Sequence, residues 1–427
     1  MTNGSIIGYD MNDIACQISY YDEEQQEPET LEAAVDNYQI PLIISKQKDD
    51  WVIGKEAKKA GITKTGHAIS KLFSKSLTGD KIEFGGESYD AIWLLCQFVY
   101  QSLKQFQKIE MLIFCVPIVN EDVAKMLKGL AHILKMDKGN IFVQDYKESF
   151  CNYMIYQPKE LWQYETALFY CDRNEVRAYM LRKLEKLGGN GKGPYVTVDA
   201  VARAEMAELA FVYPVLNVET AKEADERFRL FIESVFDKKN ISSVFLTGDG
   251  FENNWYPNSL RVLCNGRRAF LGNNLYSKGA CYAAYRKSIG RVEGPVYLDE
   301  NKLLERICLK MRNHGKEEWY PIVSWGSHWY EADGQWEVLL EDTEDIEVHI
   351  ESLLSKEVRI ENISLDGLPE RTSYSIRLNI EILFIDQSTC KLILKDIGLG
   401  EIFPATDFYV ERIIQLGGAN GQFNSLS

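Results

Sequence analysis

The chain has 427 residues, 45% of them hydrophobic and 12% aromatic, with a formal net charge of −15 at pH 7. That length and composition support two or three packed domains and exclude a disordered chain. The acidic balance opposes non-specific nucleic-acid binding, which needs clustered lysine and arginine.

In chain order, Ser5 to Tyr9 and Ala15 to Tyr21 read as a hairpin around Asp10-Met11-Asn12-Asp13, with Asp10 at the tight turn. A strand from Ile40 to Ser45, a polar turn, a strand from Trp51 to Ile53 and a helix from Lys55 follow. The spacing of Ile92, Leu95, Phe98, Val99 and Leu103 predicts a helix over Ser88 to Gln107. EMLIFCVP, from Glu110 to Pro117, is a near-continuous apolar strand of the kind buried on both faces of a sheet. A helix from Glu121 to Lys135 and a strand from Ile141 to Gln144 complete a crossover unit. Glu165 to Leu184 is a second hairpin, joined by Asp172-Arg173-Asn174. Helix AKEADERFRLFIESVF and strand Ile241 to Thr247 lead to Gly248-Asp249-Gly250. Leu303 to Met311 reads as helix. Beyond it, Val358 to Leu365, Ser375 to Ile385 and Cys390 to Lys395 alternate as strands, with a turn at Asp386 to Thr389.

This order resembles the actin-like and DnaK-type (70-kDa heat-shock) ATPases. The resemblance rests on the opening hairpin with Asp10, the strand–turn–strand before IGKEAKKA, VFLTGDG after an apolar strand, and Lys278-Gly279-Ala280 about thirty residues later. The Leu-x-Gly-Leu-Pro turn at Leu365 to Pro369, with the hairpin strands after it, resembles the chaperones' substrate-binding β-sandwich. The resemblance implies an α/β chain with two ribonuclease-H-like lobes, residues 1–160 and 161–295. A lidless β-sandwich over 296–420 and a disordered tail over 421–427 would follow. It implies ATP or ADP with Mg2+ as cofactors, and a protein or peptide partner for the sandwich. Asp10, Asp145, Asp172 and Lys71 would be catalytic, with Asp10 and Asp172 holding the metal. Asn12, Asp13, Gly248, Gly250, Lys278 and Gly279 would contact nucleotide.

The chain departs from the family at residues that would touch phosphate. The turn after Asp172 has no glycine, although a backbone phosphate nest needs close approach. Asn12, Asp13 and Ile14 stand where the family has small or hydroxyl residues. A carboxylate about 5 Å from phosphate costs roughly 3 kcal/mol at an effective dielectric near 20. Asp13 has an alternative role as a turn cap, and Asp145 as a helix cap. The leading expectation is therefore a degenerate chaperone-like cytoplasmic protein that binds nucleotide weakly. An active Mg-ATPase and a nucleotide-free scaffold are the alternatives.

The remaining motifs carry less. GGNGKG at 188–193 lacks the P-loop spacer and the Ser/Thr after its lysine, and reads as a flexible loop. The acidic run Glu341 to Glu347 lacks the EF-hand glycine. Nine scattered cysteines without a Cys-x-x-Cys pair read as reduced, mostly buried thiols, and the five histidines form no pair at metal-ligand spacing. Trp325, Trp329 and Trp336 form either a core patch or a peptide platform. No basic start with a long apolar core marks a signal peptide, and no run is long enough to span a membrane.

Overall fold

The computed structural model describes residues 4–34, 37–47, 50–63, 67–84, 86–184, 195–209, 218–272, 274–290, 294–313, 315–341, 344–353, 357–369 and 374–417. The GGNGKG segment, His314, residues 418–427 and part of the acidic run lie outside them. The protein is a mixed α/β chain of two units, one of residues 1–183 with 196–295, the other of 184–195 with 296–427.

The first unit opens with β1 (Ser5–Met11), β2 (Ala15–Asp22) and β3 (Glu27–Thr30), an antiparallel meander. Three short strands, β4 (Ile40–Pro41), β5 (Ile44–Gln47) and β6 (Asp50–Ile53), lead into helix α1 (Gly54–Ile62). Helix α2 (Leu72–Leu77), hairpin β7 (Lys81–Phe84) and β8 (Glu87–Asp90), and helix α3 (Ala91–Ser102) follow. The helix expected from Ser88 thus begins only at Ala91, because Glu87–Asp90 pairs as a strand with Lys81–Phe84. Then come β9 (Ile109–Val116), α4 (Glu121–Gly129), α5 (Ala131–Leu134), β10 (Ile141–Asp145) and α6 (Tyr146–Ile155). The resulting sheet runs β10-β9-β1-β2-β3, with β9 parallel to β1 and β10 parallel to β9. Its central strands are apolar on both faces: Ile7, Met11, Leu112, Ile113 and Phe114 are fully buried.

A second sheet repeats this plan. It comprises β11 (Glu165–Cys171), β12 (Glu175–Leu184), β13 (Tyr195–Glu205), helix α7 (Val218–Phe236), β14 (Ile241–Thr247), helix α8 (Pro257–Leu263) and β15 (Arg268–Leu271). The strand order β15-β14-β11-β12-β13 matches that of the first sheet, with β14 and β15 parallel to their neighbours. The correspondence extends to irregularities. The parallel ladder slips between Ser5 and Ile6 in β1, and between Glu165 and Thr166 in β11. Counting from that slip, Asp10 corresponds to Tyr170 and Asn12 to Asp172. Asn12 N bonds Ala15 O, and Asp172 N bonds Glu175 O, each at 3.1 Å. A core of Phe169, Phe228, Leu246 and Trp255 lies under the second sheet.

Helix α9 (Leu275–Ser288) returns to the first sheet and packs on β1 and α6 at backbone distance. A Cβ on Gly8 would lie 2.2 Å from the Ser277 carbonyl oxygen, and one on Gly279 would lie 1.9 Å from that of Ser149. No other residue type permits this approach.

The second unit is built of strands. After β16 (Val296–Tyr297) come β17 (Glu305–Asn313), β18 (Lys316–Val323), β19 (Gly334–Leu339), β20 (Asp345–Ser352), β21 (Val358–Ser364), β22 (Arg377–Asp386), β23 (Thr389–Asp396) and β24 (Tyr409–Gln415). The helix expected over Leu303 to Met311 is strand β17. Ile307, Leu309 and Met311 alternate onto the core, a period of two that overrides the helical reading. The antiparallel sheets β18-β17-β20-β21 and β19-β22-β23-β24 share one core that includes Leu309, Ile350, Leu378 and Leu392. Trp329 and Trp336 pack against that core, and Trp325 packs in a smaller cluster with Leu298 and Leu353. Among the described residues, no helix is long and apolar enough to cross a membrane.

Candidate functional site

The two hairpin turns and the starts of α6 and α9 enclose a cavity of about 240 Å3. Its floor is aromatic. Tyr146, the first residue of α6, stacks on Tyr276 of α9 with ring centroids 3.8 Å apart and planes 8° apart. Tyr170, at the end of β11, stands 6.0 Å from the first and 6.4 Å from the second. Asp10, Asp172, Asp249 and Glu252 contribute four carboxylates to the wall, which among the described residues carries no lysine, arginine or histidine.

Asp10 is not in the turn but two residues before it, within β1, where it pairs with Gln17. A central strand buried on both faces carries it inside, and only 8% of it is exposed. Its Oδ1 has no hydrogen-bond partner. Burial pushes its carboxyl up to about 7, and a hydrogen bond from the Tyr146 hydroxyl offsets only part of that. The Tyr276 hydroxyl is likewise buried without a partner.

The two turns are sealed by their own side chains. Asn12 Oδ1 accepts from Ile14 N at 2.8 Å and Ala15 N at 3.0 Å, and its Nδ2 donates to Tyr146 Oη. Asp172 Oδ1 accepts from Asn174 N at 2.7 Å and Glu175 N at 3.0 Å. These are Asx turns, in which the side chain satisfies the amides that a glycine-rich turn leaves open. Replacing Asn12 with alanine is expected to cost about 1 kcal/mol, because two turn amides lose their acceptor. Asp172→Asn, which keeps an acceptor, should stay within about 0.5 kcal/mol of the parent in urea denaturation.

Gly248 and Gly250 serve the neighbouring strand. Gly248 has φ +102°, and its Cβ would lie 2.1 Å from the Cys171 carbonyl oxygen; that of Gly250 would lie 2.2 Å from Cys171 Sγ. Gly248 reaches the cavity wall, whereas Gly250 does not. At the rim, Gln39 Nε2 donates to Asp249 Oδ1 across 3.2 Å, linking the segment before β4 to the turn after β14.

Five other expected residues stand off the wall. Asp145 caps α6 by accepting from Glu148 N at 2.8 Å, and lies 3.7 Å from Lys147. Asp13 accepts from Ser74 N at 2.9 Å, capping the first turn of α2. Lys71 is an exposed left-handed residue just before α2, with φ 57°. Gly279 is spent on the contact with α6, and Lys278 beside it on α9 also lies away from the cavity. Sequence reasoning missed the tyrosine floor altogether. Its only signal was a tyrosine just before Cys171-Asp172, just after Asp145, and just before Ser277. Among the described residues, no group of three or more His, Cys, Asp or Glu is placed to hold a metal ion.

Residues 27–300 match the family of unknown function DUF5716, C-terminal, and residues 302–416 match the domain of unknown function DUF8552. The chain belongs to the DUF5716 family. No curated protein matches it. The DUF5716 match starts at Glu27, so it takes in Tyr146, Asp172 and Tyr276 but not the hairpin that carries Asp10 and Asn12. The DUF8552 match covers strands β17 to β24.

Proposed function

We propose that this DUF5716 chain is a degenerate actin/DnaK-type protein, a non-hydrolysing binding module that engages a protein partner through its β-sandwich. The repeated sheet order and shared ladder slip support ribonuclease-H-like lobes. The observation that carries the functional reading is the cavity between them. Four carboxylates line it with no cationic side chain among the described residues, and the turn amides that would cradle phosphate are already bonded to Asn12 and Asp172. Its volume of about 240 Å3 falls below the ~300 Å3 at which pockets for drug-sized ligands begin. Magnesium nucleotide fits this donor set poorly, so no step is assigned to it.

The sandwich suits strand addition. Strand β18 is a sheet edge, and its first six residues, Lys316 to Pro321, are exposed. Trp319 and Tyr320 present aromatic surface there.

Thermal denaturation with magnesium and either ATP or ADP tests the cleft reading. A ligand at about a hundred times its Kd stabilises the native state by roughly 2.7 kcal/mol. The expected result is no shift at millimolar nucleotide and no phosphate release. A saturable upward shift accompanied by turnover would favour the active Mg-ATPase, for which Asp10 and Asp172 on one cavity wall are the supporting geometry.

A further inference from the structure

We propose that the cavity between the two hairpin turns binds a small aliphatic ammonium, a primary amine on a short carbon chain. The inference rests on the reading that the cleft is not a nucleotide site. Asp10 is more than nine-tenths buried on the cavity wall, and its Oδ1 has no partner. Tyr276, 4% exposed on the same wall, leaves its hydroxyl equally unpartnered. A buried acceptor without a donor is costly, so both atoms favour a ligand that brings N–H groups.

An ammonium offers three donors and no acceptor, which matches a wall holding Asp10, Asp172, Asp249 and Glu252 without one basic side chain among the described residues. A bare metal ion matches less well, because the carboxylates of the described residues do not converge in threes. The remaining lining selects an alkyl chain: Ile14, Ala15, Phe251 and Leu271 add apolar surface beside the acids. The small volume restricts that chain to a few carbons. A free diamine and a lysine side chain of a peptide share this chemistry.

Calorimetry on the full chain would use 1,4-diaminobutane, Nα-acetyl-lysine amide, the neutral 1,4-butanediol, MgCl2 alone and magnesium ATP. The diamine or the lysine amide is expected to bind with a Kd below about 1 mM, and the diol at least about tenfold more weakly. Whichever amine binds more tightly identifies the source, free metabolite or protein side chain. Asp10→Asn should weaken the amine about tenfold, while Glu83→Gln, an exposed charge change on β7, should leave it unchanged. That pair separates the cavity from general attraction to a chain of net charge −15. Far-ultraviolet circular dichroism and a melting curve confirm that each variant is folded, and Tyr276→Phe gives a second, independent perturbation of the same wall. Equal binding by the diol, an unchanged Kd in both Asp10→Asn and Tyr276→Phe, displacement of amine by Mg2+ alone, or no amine binding would overturn the proposal. Binding of magnesium ATP would instead overturn the reading on which it rests.

Discussion

Replacing Asp10 with asparagine is expected to stabilise the protein above neutral pH and to change little near pH 4. The carboxyl titrates at about 7 in the folded protein against 3.8 for an unperturbed aspartate, because burial disfavours its charged form. Below 3.8 both folded and unfolded states hold the proton, and the group contributes its full native stability. Between 3.8 and about 7 the folded state keeps a proton that the unfolded state has lost, so stability falls as pH rises. Above about 7 the anion is buried in the native state, and the contribution is gone. That interval corresponds to roughly 4 kcal/mol, an upper figure because water and side-chain relaxation soften such burial. The asparagine amide carries no charge anywhere in this range. Urea midpoints for the two proteins between pH 4 and pH 8 check this: the curves should meet at the acid end and separate at the other. Parallel curves would mean that Asp10 is solvated or paired with a cation, and the picture of a buried carboxylate without a counter-charge would be wrong.

The second large effect is expected at Gly279. Its missing side chain lets α9 touch the backbone of α6, and a Cβ would stand 1.9 Å from Ser149 O and 2.7 Å from Ser149 C. Neither atom is the end of a flexible side chain, so one helix must move. Doing so breaks the bond from Ser149 Oγ to Tyr276 O at 2.6 Å and disturbs the stacked tyrosines. Gly279→Ala is expected to cost about 3 kcal/mol or more, lowering the melting temperature by roughly 6–12 °C. Gly129→Ala provides the contrast. Gly129 ends α4 with no heavy atom within 4 Å of an added Cβ. There alanine should be neutral or stabilising by up to about 1 kcal/mol. Calorimetric scans of both variants decide the matter, and similar melting temperatures would show that α9 and α6 are not packed so closely.

Strand and helix identity was largely legible where burial is two-sided or periodicity is long. EMLIFCVP is strand β9, and the hairpin predicted around Asp172-Arg173-Asn174 is β11–β12 with that turn. Asp386 to Thr389 closes β22 onto β23 as its polarity suggests. Strand β13 escaped notice because VDAVARAE mixes charge and alanine in a way that fits no clean period. Short strands such as β15 are defined by their neighbours rather than by their own residues.

The site was less legible, for a different reason. Asp10 and Asp172, which the resemblance implies as metal-holding residues, do reach the cavity. Asp13 and Asp145 satisfy helix amides instead. The choice between ligand contact and cap depends on where α2 and α6 begin relative to the turn, which local spacing does not encode. Tyr146, Tyr170 and Tyr276 lie far apart in sequence and meet only because α9 crosses back onto the first sheet. The resemblance implies a nucleotide contact for Gly279, whereas its missing side chain is used against the backbone of α6.

The most direct measurement is calorimetry of magnesium ATP and magnesium ADP against the parent protein and Asp10→Ala. Neither protein is expected to bind at millimolar nucleotide. Micromolar binding to the parent that disappears in Asp10→Ala would contradict this, and would restore the cavity as a working nucleotide site.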